Sequence, residues 1–207
     1  MKDYSANFYK IVLPKVKKEL GLKNIMEVPR IKKININVGI GTRLKNSKDY
    51  SDVVENIAAI TGQKPVVTMS KKAISNFKLR INTPNGITTT LRRKKMLDFF
   101  NRMVNVAFPR IRDFQGFNEK AFDNQGNYSI GIKDCSIFPE VNPDDLSRIH
   151  GMSITIVTSA KDNHSAKALL KALNFPFRKA AIKEEKSSSN LNTIEIAAAE
   201  TTDQQES

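Results

Sequence analysis

Residues 86–114, GITTTLRRKKMLDFFNRMVNVAFPRIRDF, restrict what this chain can fold into more than any other stretch. Their first part alternates. Ile87, Thr89 and Leu91 fall on one side of an extended chain and Thr88, Thr90 and Arg92 on the other, which predicts a short strand. The period then changes. Met96, Phe99, Phe100, Met103, Val104 and Ala107 recur at the i, i+3, i+4, i+7 spacing of a helix with one buried stripe. Pro109 is expected to end that helix, because proline lacks the ladder N–H and disfavours helix in the residue before it. One segment thus supplies a polar strand face, a run of cations from Arg92 to Lys95, and a helix able to cover the strand's other side.

The same pattern recurs along the chain. Residues 3–20 read as a helix with Phe8, Ile11, Val12, Val16 and Leu20 on one side, Pro14 placed to kink or divide it, and Gly21 at its end. In RIKKININVGIG, Ile34, Ile36, Val38 and Ile40 alternate with Lys33, Asn35, Asn37 and Gly39, the pattern of a half-buried strand. Residues 49–60 read as a helix with Val53, Ile57 and Ile60 inward, residues 64–69 as a strand, and residues 70–85 as a polar loop. Tyr128, Ile130 and Ile132 oppose Ser129, Gly131 and Lys133, while Met152, Ile154 and Ile156 oppose Ser153 and Thr155. Asp162 is placed to cap a last helix with the stripe Ala166, Leu169, Leu170 and Leu173. Strands with one apolar and one polar face, and helices enough to cover only the apolar faces, give an α+β layer. Its helices pack on one side and leave an open polar sheet surface on the other.

Charge narrows the function. The chain carries 34 Lys and Arg against 21 Asp and Glu, a net +13. Residues 180–207 hold two Lys and six acids, so residues 1–179 carry +17. Within residues 64–112 twelve cations face one acid, Asp98. Such a body favours nucleic acid or an anionic membrane surface. Membrane is the weaker choice, since no apolar run approaches the ~20 residues needed to span a bilayer. The acidic tail has no aromatic residue and cannot bury enough to fold alone, so residues 1–179 are expected to form one domain and residues 180–207 a disordered tail. The lone Cys135 excludes an internal disulfide, and the first ten residues lack a signal-peptide core. Both fit the cytoplasm or an organelle that makes its own proteins.

Catalysis finds little support. Gly39-Ile40-Gly41 follows a strand as in a dinucleotide fingerprint, but Leu44 stands where the third glycine belongs. His150 and His164 have no Cys or acid at metal-ligand spacing, and no Ser sits in a nucleophile elbow. No cofactor, metal or enzyme activity is expected. The polar strand faces are more specific. Lys33, Asn35, Asn37, Thr88, Thr90, Arg92, Ser129 and Lys133 form an outward set without an acid. Amides and hydroxyls there can bond phosphates, 2′-hydroxyls and base edges, while the cations neutralise phosphate. The absence of Trp and an aromatic content of only 7% speak for a folded, shaped RNA rather than a base-stacking platform.

The words VPRIKKININVGIG, ITGQKPVVT, FKLR, TTTLRRKKMLDFFNR, FPRIRDFQGF, FDNQGNYSIGI, IFPE and ALNFPFRK, in this order, resemble the bacterial-type large-subunit ribosomal protein five family over roughly residues 3–179. The resemblance implies an α+β fold with an antiparallel sheet, attachment of 5S rRNA to the large subunit in the central protuberance, and contact with the large-subunit rRNA and neighbouring proteins. It further implies a bridge to small-subunit ribosomal protein thirteen and a loop reaching the P-site tRNA. Matched by position, it implies Lys33, Asn37, Gly39, Thr90, Arg92, Tyr128 and Ser129 as contacts to 5S rRNA. It likewise implies Lys71, Lys72, Phe77, Lys78 and Arg80 as contacts to tRNA. The sequence departs from the family pattern at four positions. Arg93 and Asn82 stand at usual glycines, and Met69 and Ala73 replace polar loop residues.

Overall fold

In a computed structural model, which describes residues 11–41, 50–77, 79–141 and 150–178, the alternating segments pair into one antiparallel sheet. Its strands are β1 (Ile31–Gly39), β2 (Val66–Met69), β3 (Pro84–Leu91), β4 (Tyr128–Ile132) and β5 (Met152–Thr158), in the order β2-β3-β1-β5-β4. Four helices accompany them: α1 (Leu13–Leu20), α2 (Ser51–Thr61), α3 (Arg93–Arg102) and α4 (Asn163–Ala172). The inward residues Ile34, Ile36, Val38, Ile87, Leu91, Ile130, Ile154 and Ile156 are buried in one core with the α3 stripe and with Leu169, Leu170 and Leu173. Alternation leaves the opposite residues of each strand on a face that no described helix covers. This is the α+β layer expected from the sequence.

The differences from the expected elements have local causes. Regular α-helix over Leu13–Leu20 continues from a wider π turn at residues 11–12, and Pro14 lies in its first turn. Val12, Leu13 and Val16 are buried, whereas Ile11, expected inward, is 61% exposed, and Phe8 lies outside the described residues. Pairing of β2 starts at Val66 rather than at residue 64, since Pro65 has no N–H for the ladder.

Pro109 does not end the helical path. Regular α-helix stops at Arg102, a wider π turn spans Met103–Ala107, and a 3-10 turn over Phe108–Arg110 contains the proline. The Phe108 N–H reaches back five residues to the Met103 carbonyl, and Met103, Val104, Ala107 and Phe108 all stay buried. Asp162 occupies the position before α4 in extended conformation, but its carboxylate makes no capping bond.

Two glycine-for-side-chain departures are visible in the backbone. Arg93 has φ 54° and Asn82 φ 58°, both left-handed. Asn visits this region at low cost, whereas a long side chain with a Cβ is strained there by roughly 1 kcal/mol or more.

Candidate nucleic-acid interface

The register lines the outward side chains up in rows. Asn35 lies opposite Thr90 on β3 and Thr155 on β5, and Thr155 lies opposite Ser129 on β4. The next row runs Val66, Thr88, Asn37, Ser153 and Gly131 across all five strands. Arg92 stands one position beyond the Ile34–Leu91 pair, exposed and still extended. No acid interrupts either row.

Hydrogen bonds fix these side chains. Thr90 Oγ1 donates to Asn35 Oδ1 at 3.1 Å, and Ser129 Oγ lies 3.2 Å from Thr155 Oγ1. Thr88 Oγ1 donates to the Ile36 carbonyl at 3.2 Å. Each of these side chains keeps further donor or acceptor capacity for a ligand. Gly39 is exposed with nothing within 4 Å of where a Cβ would stand, so the face is bare backbone at that point.

Of the residues that the resemblance implies for 5S rRNA, six lie on or at the margin of this face: Lys33, Asn37, Gly39, Thr90, Arg92 and Ser129. Tyr128 does not. It is 1% exposed on the helix side, its hydroxyl donates to the Asn118 carbonyl at 2.7 Å, and its ring packs on Phe122, Phe175 and Phe177. Strand parity decides this, because Tyr128 and Ser129 are neighbours and must point to opposite faces. Burial, with a smaller contribution from the charge of Glu119, pushes the phenol up to about 12. Asn35, Thr88, Ser153 and Thr155 complete the rows although the resemblance does not imply them. Their alternation with buried neighbours is the signal that finds them.

The cationic run divides by role. Lys95 Nζ donates to the Gly62 carbonyl at 2.9 Å and Arg102 to the Ile60 carbonyl at 2.7 Å, so both satisfy carbonyls left open at the end of α2. Arg102 also pairs with Glu140 at 3.4 Å. Arg92, Arg93 and Lys94 remain exposed beside the face.

Residues 70–77 and 79–83 extend the β2–β3 hairpin. Ser70 anchors the base of this extension: its N–H donates to the Thr83 carbonyl at 2.9 Å, its carbonyl accepts from Asn82 N–H at 3.0 Å, and its hydroxyl bonds the Arg80 carbonyl. Ile74 and Leu79 bridge nearer the tip. Lys71, Lys72 and Arg80 are exposed, and Phe77 is 66% exposed rather than folded back on the base. Lys78 lies outside the described residues. Met69, Ile74 and Ile81 add apolar area to the same extension.

Comparison with known proteins agrees with this architecture. Residues 24–80 match the family model described as ribosomal protein L5, and residues 84–177 match the model for the C-terminus of the same ribosomal family. The large ribosomal subunit protein uL5 of Dichelobacter nodosus is 52% identical over 172 residues, 83% of this chain and 96% of that protein. That of Geobacter sulfurreducens is 49% identical over 171 residues, 83% of this chain and 96% of its own length. The uL5 of Bdellovibrio bacteriovorus is 48% identical over 179 residues, 86% of this chain and its entire length.

Proposed function

This chain belongs to the ribosomal protein L5 family, and from that premise we propose that its open sheet face holds 5S rRNA. The protein is a structural, non-catalytic component of the large ribosomal subunit. The observation that carries the finer reading is the acid-free face itself: rows of Asn, Thr and Ser across the sheet, with Lys33 and Arg92 at one end. A flat surface of short polar side chains suits the wide, shallow minor groove of an RNA helix, where 2′-hydroxyls and phosphates lie within reach. The exposed cations neutralise the flanking phosphates. Tyr128 has no direct contact in this reading. It holds β4 against the Phe175–Phe177 segment and so positions Ser129.

The hairpin extension supports a second contact. Ordered loops of this length are functional more often than not, and this one presents Lys71, Lys72 and Arg80 for phosphates and Phe77 for stacking. Together with the family resemblance this supports contact with the P-site tRNA. The resemblance alone supports the place in the central protuberance, the bridge to small-subunit ribosomal protein thirteen and residence on the cytoplasmic ribosome of a bacterium.

Competition between 5S rRNA and duplex DNA at matched salt tests the first contact. The reading expects 5S rRNA to displace the DNA at concentrations where the reverse exchange fails. Equal competition by the two would reduce the face to a general polyanion binder.

A further inference from the structure

A second basic surface lies at the β4 edge of the sheet, where the second of these rows ends at Gly131. A groove of about 930 Å³ opens between residues 110–117 and the C-terminal half of β4. Arg110, Arg112, Lys133 and Arg178 line it, all exposed, against two acids, Asp113 and Asp134. The strand beside it is a sheet edge. The first half of that edge is covered, since Ser129 N–H donates to the Ala121 carbonyl at 3.3 Å and Phe122 bridges Tyr128. Gly131, two residues on, directs its backbone groups to the same side. Among the described residues none bonds them there. An edge of this kind accepts an extended segment.

The chain itself is led into this groove. Phe117 pairs in parallel with Phe177, Phe117 N–H donates to the Pro176 carbonyl at 3.0 Å, and Arg178 N–H donates to the Phe117 carbonyl at 2.9 Å. Gly116 makes this approach possible. It has φ +92°, and a Cβ there would stand 2.5 Å from the Arg178 nitrogen. Arg178, the last described residue, is thereby held in the groove wall. The residues after it lie beyond the family match, which ends at residue 177. Their last 21 residues, 187–207, contain four acids (Glu195, Glu200, Asp203 and Glu206) and no Lys or Arg.

We infer that the acidic C-terminal extension of this chain docks in cis in the basic groove along the free half of the β4 edge. Carboxylates of residues 195–206 face Arg110, Arg112, Lys133 and Arg178, and the backbone of the extension meets the edge at Gly131. Docked there, the extension withholds these cations from passing polyanions while leaving the Asn, Thr and Ser rows open. The inference needs no RNA and is independent of the rRNA reading.

The test uses the full chain. A nitroxide placed by Ala198→Cys reacts selectively, because the native Cys135 is fully buried. Amide signals of Gly116, Gly131 and Lys133 are expected to lose more than half their intensity. Those of Thr68 and Met69 in β2, four strand spacings or about 19 Å away, lose little. Replacing Glu195, Glu200, Asp203 and Glu206 by Lys in the labelled chain is expected to restore the groove signals at least twofold, as is raising the salt to about 0.5 M. Three results would overturn docking: equal loss at both sheet edges, groove signals indifferent to charge reversal, or loss only between a labelled copy and a separate isotope-enriched copy.

Discussion

Thr90 on β3 hydrogen-bonds Asn35 on β1 across the open face at 3.1 Å, while its neighbour Thr89 is buried on the other face with its hydroxyl unpartnered among the described residues. Two adjacent threonines thus sit in opposite physical settings. Thr90→Val is expected to weaken 5S rRNA binding by about 1 kcal/mol, through one lost hydroxyl bond, with stability nearly unchanged. Thr89→Val removes a buried unsatisfied hydroxyl and is expected to raise stability by about 1 kcal/mol with no effect on RNA. Denaturant melts and filter binding on both variants check the pair. The opposite assignment of effects would place the wrong face toward RNA.

Arg93→Gly addresses the left-handed backbone at the β3–α3 junction. Arg93 holds φ 54°, where a side chain is strained and glycine is not. The substitution is expected to raise stability by about 0.5–1 kcal/mol, less any gain in unfolded-chain freedom. Equilibrium unfolding in urea measures it. A loss of more than about 1 kcal/mol would contradict the strain.

Tyr128 gives the fold an alkaline limit. Its phenol ionises near 10 in the unfolded chain and at about 12 in the folded one, because burial disfavours phenolate. Between those values the unfolded chain has lost the proton that the folded chain keeps, so stability falls as pH rises from 10 toward 12 and is complete below 10. Tyr128→Phe is expected to cost about 1 kcal/mol at neutral pH, for the bond to Asn118, and to flatten this part of the alkaline decline. Thermal melts from pH 7 to 11.5 on both proteins compare the slopes.

Replacing Lys71, Lys72 and Lys78 together by Ala is expected to leave the melting temperature and 5S rRNA binding nearly intact. The described pair, Lys71 and Lys72, is exposed and lies outside the sheet rows. On assembled ribosomes the same change is expected to loosen P-site tRNA, more visibly at higher salt. Footprinting of residues 70–83 with and without P-site tRNA decides it. Protection by 5S rRNA alone, with nothing added by tRNA, would remove the tRNA assignment.

Period-2 and period-3.6 patterns were enough to read the sheet's two faces, because Ile34, Ile36 and Val38 had to go inward once Asn35 and Asn37 went outward. Strand order and register were not legible, since pairing between residues 35, 90 and 155 depends on contacts far apart in sequence. The helical path past Pro109 was not legible, because a π turn over Met103–Ala107 widens the helix just before the 3-10 turn that holds the proline. The groove was invisible because its cations, Arg110, Arg112, Lys133 and Arg178, come from three separate segments, of which Arg178 is brought to residues 110–117 by the Phe117–Phe177 pairing. Tyr128 shows the limit of transfer by resemblance. Its alternation with Ser129 already placed it inward.

Arg92→Ala set against Lys18→Ala, measured with 5S rRNA at matched salt, tests the central claim most directly. Arg92 is exposed at the end of the sheet rows, and Lys18 is exposed on α1, away from them. If the guanidinium makes charge-assisted bonds to phosphate or a base edge, Arg92→Ala weakens binding by about 1.5–3 kcal/mol, roughly 10- to 150-fold. Lys18→Ala then changes it by less than about twofold. Equal losses from the two substitutions would show that net charge alone, and not this face, holds the RNA.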